Sequence, residues 1–228
     1  MEPRIHWART TVTMSSDFID HVYKFFFDSL ASATSRTSGY ARQGRNFYAP
    51  ASAPAYLAAV AAVEAFVNEV FLSEAWIGGA PITVVSPESL ERMNIAVKAI
   101  VVPQLALGRT LPRDQQPYQD FVLLTKVRNE LVHYKMGWAP KFVRILAQRG
   151  IAFRVEPEAE KVGGGIAWGH RLSTTEGIRW AHNTAVEVVQ AMARLFPDDS
   201  PVRRIGDSWP IITDAMLEAR LRELGVDT

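Results

Sequence analysis

Three polar side chains lie close together on one predicted helix, at residues 128, 129 and 133. The segment from Tyr118 to Lys135 has helical periodicity, and its apolar stripe consists of Phe121, Leu124, Val127, Leu131 and Val132. Arg128 falls within that stripe, whereas Asn129 and His133, spaced i and i+4, lie over one another at its edge. Histidine exchanges protons near neutral pH, and arginine is well suited to hold a phosphate. The arc of about 140° that they share therefore suits capture or cleavage of a phosphodiester.

An arginine on an apolar stripe needs a partner. An unpaired buried guanidinium is costly, and it cannot lose its proton. The longest predicted helix, 52–77, carries Glu64 at the centre of its own apolar stripe and Asn68 one turn further along. We therefore expect the two helices to pack together, with Glu64 paired to Arg128 and Asn68 satisfying remaining donors. A purely structural ion pair that fixes helix register is the alternative interpretation.

Neither a metal nor a cofactor is expected at this site. Metal ions need several histidines or carboxylates at ligand spacing, and the sequence around residue 133 has no such group. The chain contains no cysteine, which excludes thiolate metal sites, cysteine nucleophiles and disulfides and favours a cytoplasmic location. The triple glycine at 163–165 lacks the Gly-Lys-Ser/Thr ending of a phosphate-binding loop, so it is interpreted as a turn.

The segment from Arg128 to His133, with the sequence RNELVH, resembles the R-x4-6-H motif of the HEPN superfamily. Four residues separate the arginine from the histidine, and a polar residue directly follows the arginine, as it often does in that superfamily. The segment from Glu64 to Glu69 on the long helix is similar to the acidic residue and asparagine found in many bacterial members. The similarity extends over about residues 51 to 135 and is weaker elsewhere.

The resemblance implies a dimeric ribonuclease that cuts RNA without a metal ion, through attack by the ribose 2′-hydroxyl. His133 would act as general base or general acid, Arg128 would hold the scissile phosphate, and Asn129 would orient a reacting group. Glu64 and Asn68 would support this site. Because one histidine cannot take both proton-transfer roles at once, a homodimer with a shared cleft is expected.

Lys126 and Lys135 flank the motif helix and are the candidates for RNA phosphate contacts, with ordinary solvated surface residues as the alternative interpretation. From the resemblance, a toxin–antitoxin or defence role would bring a cognate antitoxin or regulatory protein. In the subset modified by a partner nucleotidyltransferase, a tyrosine stands two positions after the histidine. Here Tyr134 comes directly after it, so that modification is not predicted. The alternative is a non-catalytic HEPN scaffold or nucleotide-sensing module.

The elements that must position these residues are predicted to be helices. Periodicity, capping residues and Pro or Gly boundaries predict them at about 17–33, 52–77, 86–102, 118–135, 141–148, 173–196 and 213–224. Pro103 is expected either to end or to kink the third helix. Residues 150–172 are interpreted as an irregular insert with a small hairpin. The predicted fold is an all-α, HEPN-like bundle in one domain, 1–228, with a core at about 17–140 and C-terminal helices at about 173–224.

Charge and hydropathy limit the partners. The 228 residues include 25 Lys and Arg against 24 Asp and Glu, so the formal net charge is only +1. RNA binding would therefore need a local basic patch rather than a global attraction. The longest uninterrupted apolar run, 55–63, is far shorter than the ~20 residues of a membrane span, and the N-terminus does not have the pattern of a signal peptide. No membrane partner is expected.

Overall fold

The computed structural model describes residues 13–35, 42–43, 46–50, 52–71, 86–133, 140–154 and 168–226, and these are mostly helical. The helices are α1 (Thr13–Ser35), α2 (Ala53–Phe66), α3 (Pro87–Glu91), α4 (Ile95–Leu107), α5 (Tyr118–Val132), α6 (Lys141–Gln148), α7 (Trp168–Arg171), α8 (Thr175–Ala193), α9 (Pro201–Ser208) and α10 (Asp214–Glu223). A π-helix, Val67–Phe71, directly follows α2. Two short antiparallel strands, β1 (Arg42–Gln43) and β2 (Asn46–Phe47), form a ribbon. The all-α prediction is confirmed.

Several helices begin at capping residues that the sequence supplies. The side-chain oxygens of Ser86, Asn94, Ser200 and Thr213 each accept a hydrogen bond from a backbone N–H in the first turn of the helix that follows. At the other end of α4, Gly108 has a φ of 66°, the left-handed conformation that favours glycine after a helix. These local signals explain why helices begin at 87, 95, 201 and 214.

Two predicted boundaries were wrong for local reasons. The single helix predicted at 86–102 is two helices, because Asn94 caps a new one at Ile95, and Pro103 lies inside α4 rather than ending it. The segment 197–210, for which no helix was predicted, contains α9, and Pro201 occupies its first turn, a position where its missing N–H costs nothing.

Other predicted segments are only partly described. The helix predicted at 52–77 is α-helical to Phe66 and π-helical to Phe71, and its remainder lies outside the described residues. The first strand of the hairpin predicted in the insert was expected at 151–155, but 151–154 form bends and irregular backbone instead of a strand. The following residues, 155–167, lie outside the described residues. At the end of that insert, Trp168 begins a short helix instead of lying on a strand.

Contacts divide the chain into two units. The first comprises 1–20, 58–125 and 184–211, and the second comprises 21–57, 126–183 and 212–228. Buried residues of the first unit include Val63, Phe66, Val102, Phe121, Leu124, Val189, Met192 and Trp209. Those of the second include Phe26, Leu30, Tyr56, Leu146, Leu172, Ile178 and Leu217. Each such side chain contributes about 1.5–3 kcal/mol by leaving water. The single-domain organisation stays a prediction.

The start of α8 packs closely against Tyr56. The hydroxyl of Thr174 accepts a hydrogen bond from the N–H of Gly177 at 2.8 Å and so caps α8, close to residue 173, where this helix was predicted to begin. Tyr56 is fully buried, and its hydroxyl donates to the backbone oxygen of Leu172 at 2.9 Å. Burial raises the pKa of Tyr56, so its hydroxyl keeps the proton that it donates. Glycine at 177 leaves the space that the tyrosine occupies.

Of the helices that the structure describes, none combines the length and the apolar character needed to cross a bilayer.

Candidate functional site

Helix α5 buries one face and exposes its final turn. Phe121, Leu124 and Val127 are fully buried, as the predicted stripe requires. The stripe does not continue to the end of the helix, because Leu131 is only half-buried and Val132 is 50 % exposed. The last two members of the predicted apolar stripe are therefore at or near the surface, together with the polar residues beside them.

Arg128 and Asn129 form one polar group on this last turn. Both side chains are half-buried, and a terminal guanidinium nitrogen of Arg128 (Nη1) donates to Oδ1 of Asn129 at 2.9 Å. Within the part of the chain that the structure describes, this is the hydrogen bond that the guanidinium makes. Arginine has five N–H donors and asparagine has two, so most donors of the pair remain for a bound anion.

His133 follows the last residue of α5 and is exposed to solvent. Its backbone N–H donates to the backbone oxygen of Asn129 at 2.9 Å, which continues the helical hydrogen-bond pattern by one residue and fixes the imidazole one turn beyond the amide. An exposed imidazole is accessible to a substrate and can exchange protons with it near neutral pH.

The structure describes only one of the two lysines predicted to contact RNA. Lys126 is exposed on α5. Helical geometry places it about 20° around the axis from His133 and about 10 Å before it along the helix, so both side chains point to a similar side. Lys135 lies outside the described residues.

Glu64 and Asn68, predicted to support Arg128, contact a different cation. Lys98 of α4 donates from Nζ to Oδ1 of Asn68 at 3.0 Å, and the same nitrogen lies 4.0 Å from Oε1 of Glu64. The side chain of Lys98 is 1 % exposed and that of Glu64 is 40 % exposed. Within the first unit, the cation beside Glu64 is therefore Lys98, a residue that the sequence-based prediction did not include. The pairing of Glu64 with Arg128 stays a prediction.

A signal for Lys98 was present in the sequence. Lys98 is the only charged residue of α4, whose other residues are apolar apart from Gln104, so it is as anomalous as Arg128 on α5. The π-helix explains why Asn68 reaches it. A π-turn contains more residues than an α-turn, so it changes which side chains face a neighbouring helix, and α4 packs against this π-helix. An α-helical wheel drawn through residue 68 does not include that rotation.

Glu69, the next residue of the π-helix, carries a buried carboxylate oxygen. Its Oε2 atom has no hydrogen-bond partner among the described residues, and burial raises the pKa of this carboxyl above its ordinary value. Ionisation of Glu69 in the folded protein is therefore less favourable than in the unfolded chain.

Replacement of Glu69 with glutamine is expected to raise the melting temperature at pH 7 and to change it little at pH 4. Because the folded-state pKa is raised, the folded protein loses stability as the pH rises from the unfolded-state pKa through the folded-state pKa. Glutamine removes that loss, and each kcal/mol gained would raise the melting temperature by about 2–4 °C. Thermal unfolding at both pH values measures the effect, with the exposed Glu130→Gln as control. An equal gain at both pH values would contradict the assignment.

Within the second unit, Arg128 and Asn129 share a hydrogen bond on the last turn before an exposed His133. Within the first unit, Glu64 and Asn68 lie beside Lys98. No protein-family model, no curated protein and no solved structure matches this chain at a significant level.

Proposed function

We propose that this protein is a HEPN-like, metal-independent endoribonuclease that acts as a homodimer in the cytoplasm, with a cognate antitoxin or regulatory protein as a further partner. The observation that supports the proposal best is the end of α5. A half-buried arginine and asparagine are hydrogen-bonded to each other there, and an exposed histidine follows them. This arrangement offers a fixed cation, an amide donor and a proton carrier to one phosphodiester.

The proposed reaction is an attack of the ribose 2′-hydroxyl on the adjacent phosphorus. His133 of one copy removes the 2′ proton as the new P–O bond forms, and the P–O5′ bond breaks as the leaving oxygen receives a proton. The products are a 2′,3′-cyclic phosphate and a 5′-hydroxyl. Arg128 neutralises the charge that develops on the non-bridging oxygens, and the amide N–H groups of Asn129 donate to the same phosphate. The second proton transfer falls to the histidine of the other copy.

The hydrogen bond of Arg128 supports this proposal. Its partner within the second unit is the neutral amide of Asn129, which does not neutralise the guanidinium that would hold a phosphate. Glu64, the acid of the structural alternative, lies 4.0 Å from Lys98 within the first unit.

The proposal predicts cleavage of single-stranded RNA in the presence of EDTA. Cellular RNA is incubated with the purified protein, cut sites are mapped, and a short RNA spanning one site is compared with the same strand carrying one 2′-deoxyribose at that site. The all-ribose strand should give fragments ending in a 2′,3′-cyclic phosphate, while the deoxy-substituted strand should resist cleavage, because its nucleophile is missing. Equal cleavage of both strands, or no cleavage of any RNA, would contradict the proposal.

A further inference from the structure

A row of basic side chains follows the exposed face of α6. The helix buries Phe142, Val143, Leu146 and Ala147. Its opposite face exposes Lys141, Arg144 and Gln148, which are spaced i, i+3 and i+7 and therefore lie along one side. Neither 140–154 nor 168–173 contains an Asp or Glu, whereas the intervening 155–167 contains three glutamates and lies outside the described residues.

The stability of α6 does not explain these cations. The N-terminal half of a helix favours acidic side chains, and cations there are unfavourable. Lys141 and Arg144 nevertheless occupy that half, and the first turn has no acid. Other exposed cations of the same unit differ in this respect, since Lys24 of α1 lies one turn from both Asp20 and Asp28. The charge of α6 is not balanced within its own helix.

Arg154 continues this row beyond the end of α6. Its Nε atom donates to the backbone oxygen of Ala147 at 3.2 Å, and its Nη2 atom donates to that of Gln148 at 3.4 Å. These bonds hold an exposed guanidinium beside Gln148, the last member of the row. Two exposed cations, at 141 and 144, therefore lie on α6, and a third, at 154, lies at its C-terminal end.

Aromatic rings lie next to the end of the row. Phe153 stacks on Tyr48, with ring centroids 6.5 Å apart and planes inclined by 26°. The Tyr48 hydroxyl and Nδ1 of His170 share a hydrogen bond of 3.1 Å, and the centroids of these two rings are 6.4 Å apart. The N–H of Phe153 donates to the backbone oxygen of Arg171 at 2.9 Å, which fixes the turn against α7. His170 is exposed and Tyr48 is half-buried, so part of this group of rings is open to a ligand.

We propose that Lys141, Arg144, Arg154, Tyr48 and His170, here called the basic–aromatic surface, bind single-stranded RNA. The cations attract successive phosphates, and the rings stack on unpaired bases. A duplex cannot offer its bases for stacking, and an acidic protein gains little from the rings, so a single strand fits the combination best. The choice of RNA rather than DNA rests on the proposed ribonuclease activity. The surface is separate in sequence from Arg128, Asn129 and His133 and would hold the substrate rather than cut it.

The test measures binding of a fluorescent single-stranded RNA to the full chain at several salt concentrations. Every protein carries His133→Ala, so that the RNA stays intact. Lys141→Glu with Arg144→Glu should weaken binding by at least about 10-fold and reduce the slope of log affinity against log salt by about 1.4, because two phosphate contacts are lost. His170→Ala should weaken binding by at least about 5-fold and leave the slope unchanged, because it removes stacking. The matched control is Lys24→Glu with Arg222→Glu, which changes the charge equally at exposed positions of α1 and α10 and should stay within about twofold.

Several outcomes would overturn the inference. One is an affinity for RNA that is the same in the double variant, in His170→Ala and in the control. Another is duplex RNA that binds as tightly as the single strand, since stacking would then play no part. A third is displacement of the RNA by polyglutamate at lower concentration than by unlabelled RNA, which would indicate an acidic protein partner. If the variants show that RNA binds through this surface but the parent protein does not cleave RNA, the nuclease proposal is wrong and the binding surface stands. If the parent protein cleaves RNA but the variants bind it as tightly as the control does, the nuclease proposal stands and the binding surface is wrong.

Discussion

Replacement of His133 with alanine is expected to reduce the rate of RNA cleavage by about 10²–10⁴-fold, the usual contribution of a positioned general acid or base. The melting temperature should stay close to that of the parent, because the imidazole is exposed to solvent. Single-turnover cleavage of a mapped RNA site in EDTA measures the rate, and thermal unfolding measures the stability.

Two controls separate a proton-transfer role for His133 from a general effect of removing a histidine. His21→Ala removes another exposed histidine, on α1, and should leave the cleavage rate unchanged. Free imidazole added to the His133→Ala protein should restore part of the rate, because an exposed position lets the small base reach the site. Cleavage that survives His133→Ala at the parental rate would remove this residue from the mechanism and would leave the resemblance of its segment without a function.

Replacement of Gly177 with alanine is expected to lower the free energy of unfolding by at least about 1–3 kcal/mol, the typical cost of overpacking. A Cβ atom at this position would overlap the Tyr56 hydroxyl and would lie 2.8 Å from Oγ1 of Thr174 and 3.1 Å from the backbone oxygen of Leu172. Both hydroxyls are engaged, since Tyr56 donates to Leu172 and Thr174 caps α8. Displacing either one leaves a buried polar group without its partner. Denaturant unfolding measures the loss.

The Tyr56→Phe substitution identifies the contact that causes this loss. Tyr56→Phe alone removes the hydroxyl and its hydrogen bond to Leu172, and it also makes room for the new methyl group. The double variant Gly177→Ala with Tyr56→Phe should therefore be more stable than the sum of the two single losses predicts. Losses that simply add would show that Tyr56 is not the neighbour that makes glycine necessary.

Strong local signals account for most of the fold that the sequence predicted. Helix α6 was predicted at 141–148 and occupies Lys141–Gln148, because Pro140 precedes it, Gly150 follows it, and its apolar spacing is regular. The buried residues of α5 up to Val127 followed its predicted stripe for the same reason. A single helix was predicted where the structure has two, at 87–91 and 95–107. The apolar pattern continues across the break, and only the side chain of Asn94 marks it.

Pairing between elements was harder to predict than the elements themselves. Glu64 was recognised as a charge that needs a partner, and Arg128 was assigned to it from helical wheels alone. A wheel shows which side chains share a face and does not show which helix covers that face. The π-helix at Val67–Phe71 added a rotation that no α-helical pattern contains, and Lys98 was overlooked although it is the lone charge of α4. The segment at 128–133 was easier to interpret, because its residues are neighbours in the sequence.

Because Lys98 is buried, the rate at which this residue is chemically modified measures how often the first unit opens. Amine-acylating reagents modify a lysine only when its nitrogen meets solvent, and the side chain of Lys98 is 1 % exposed. Exposed amines such as those of Lys126 and Lys141 react in the closed protein, so their labelling follows reagent concentration alone. Labelling of Lys98 requires α4 and the π-helix to separate, and its rate therefore reports how often that packing is transiently lost.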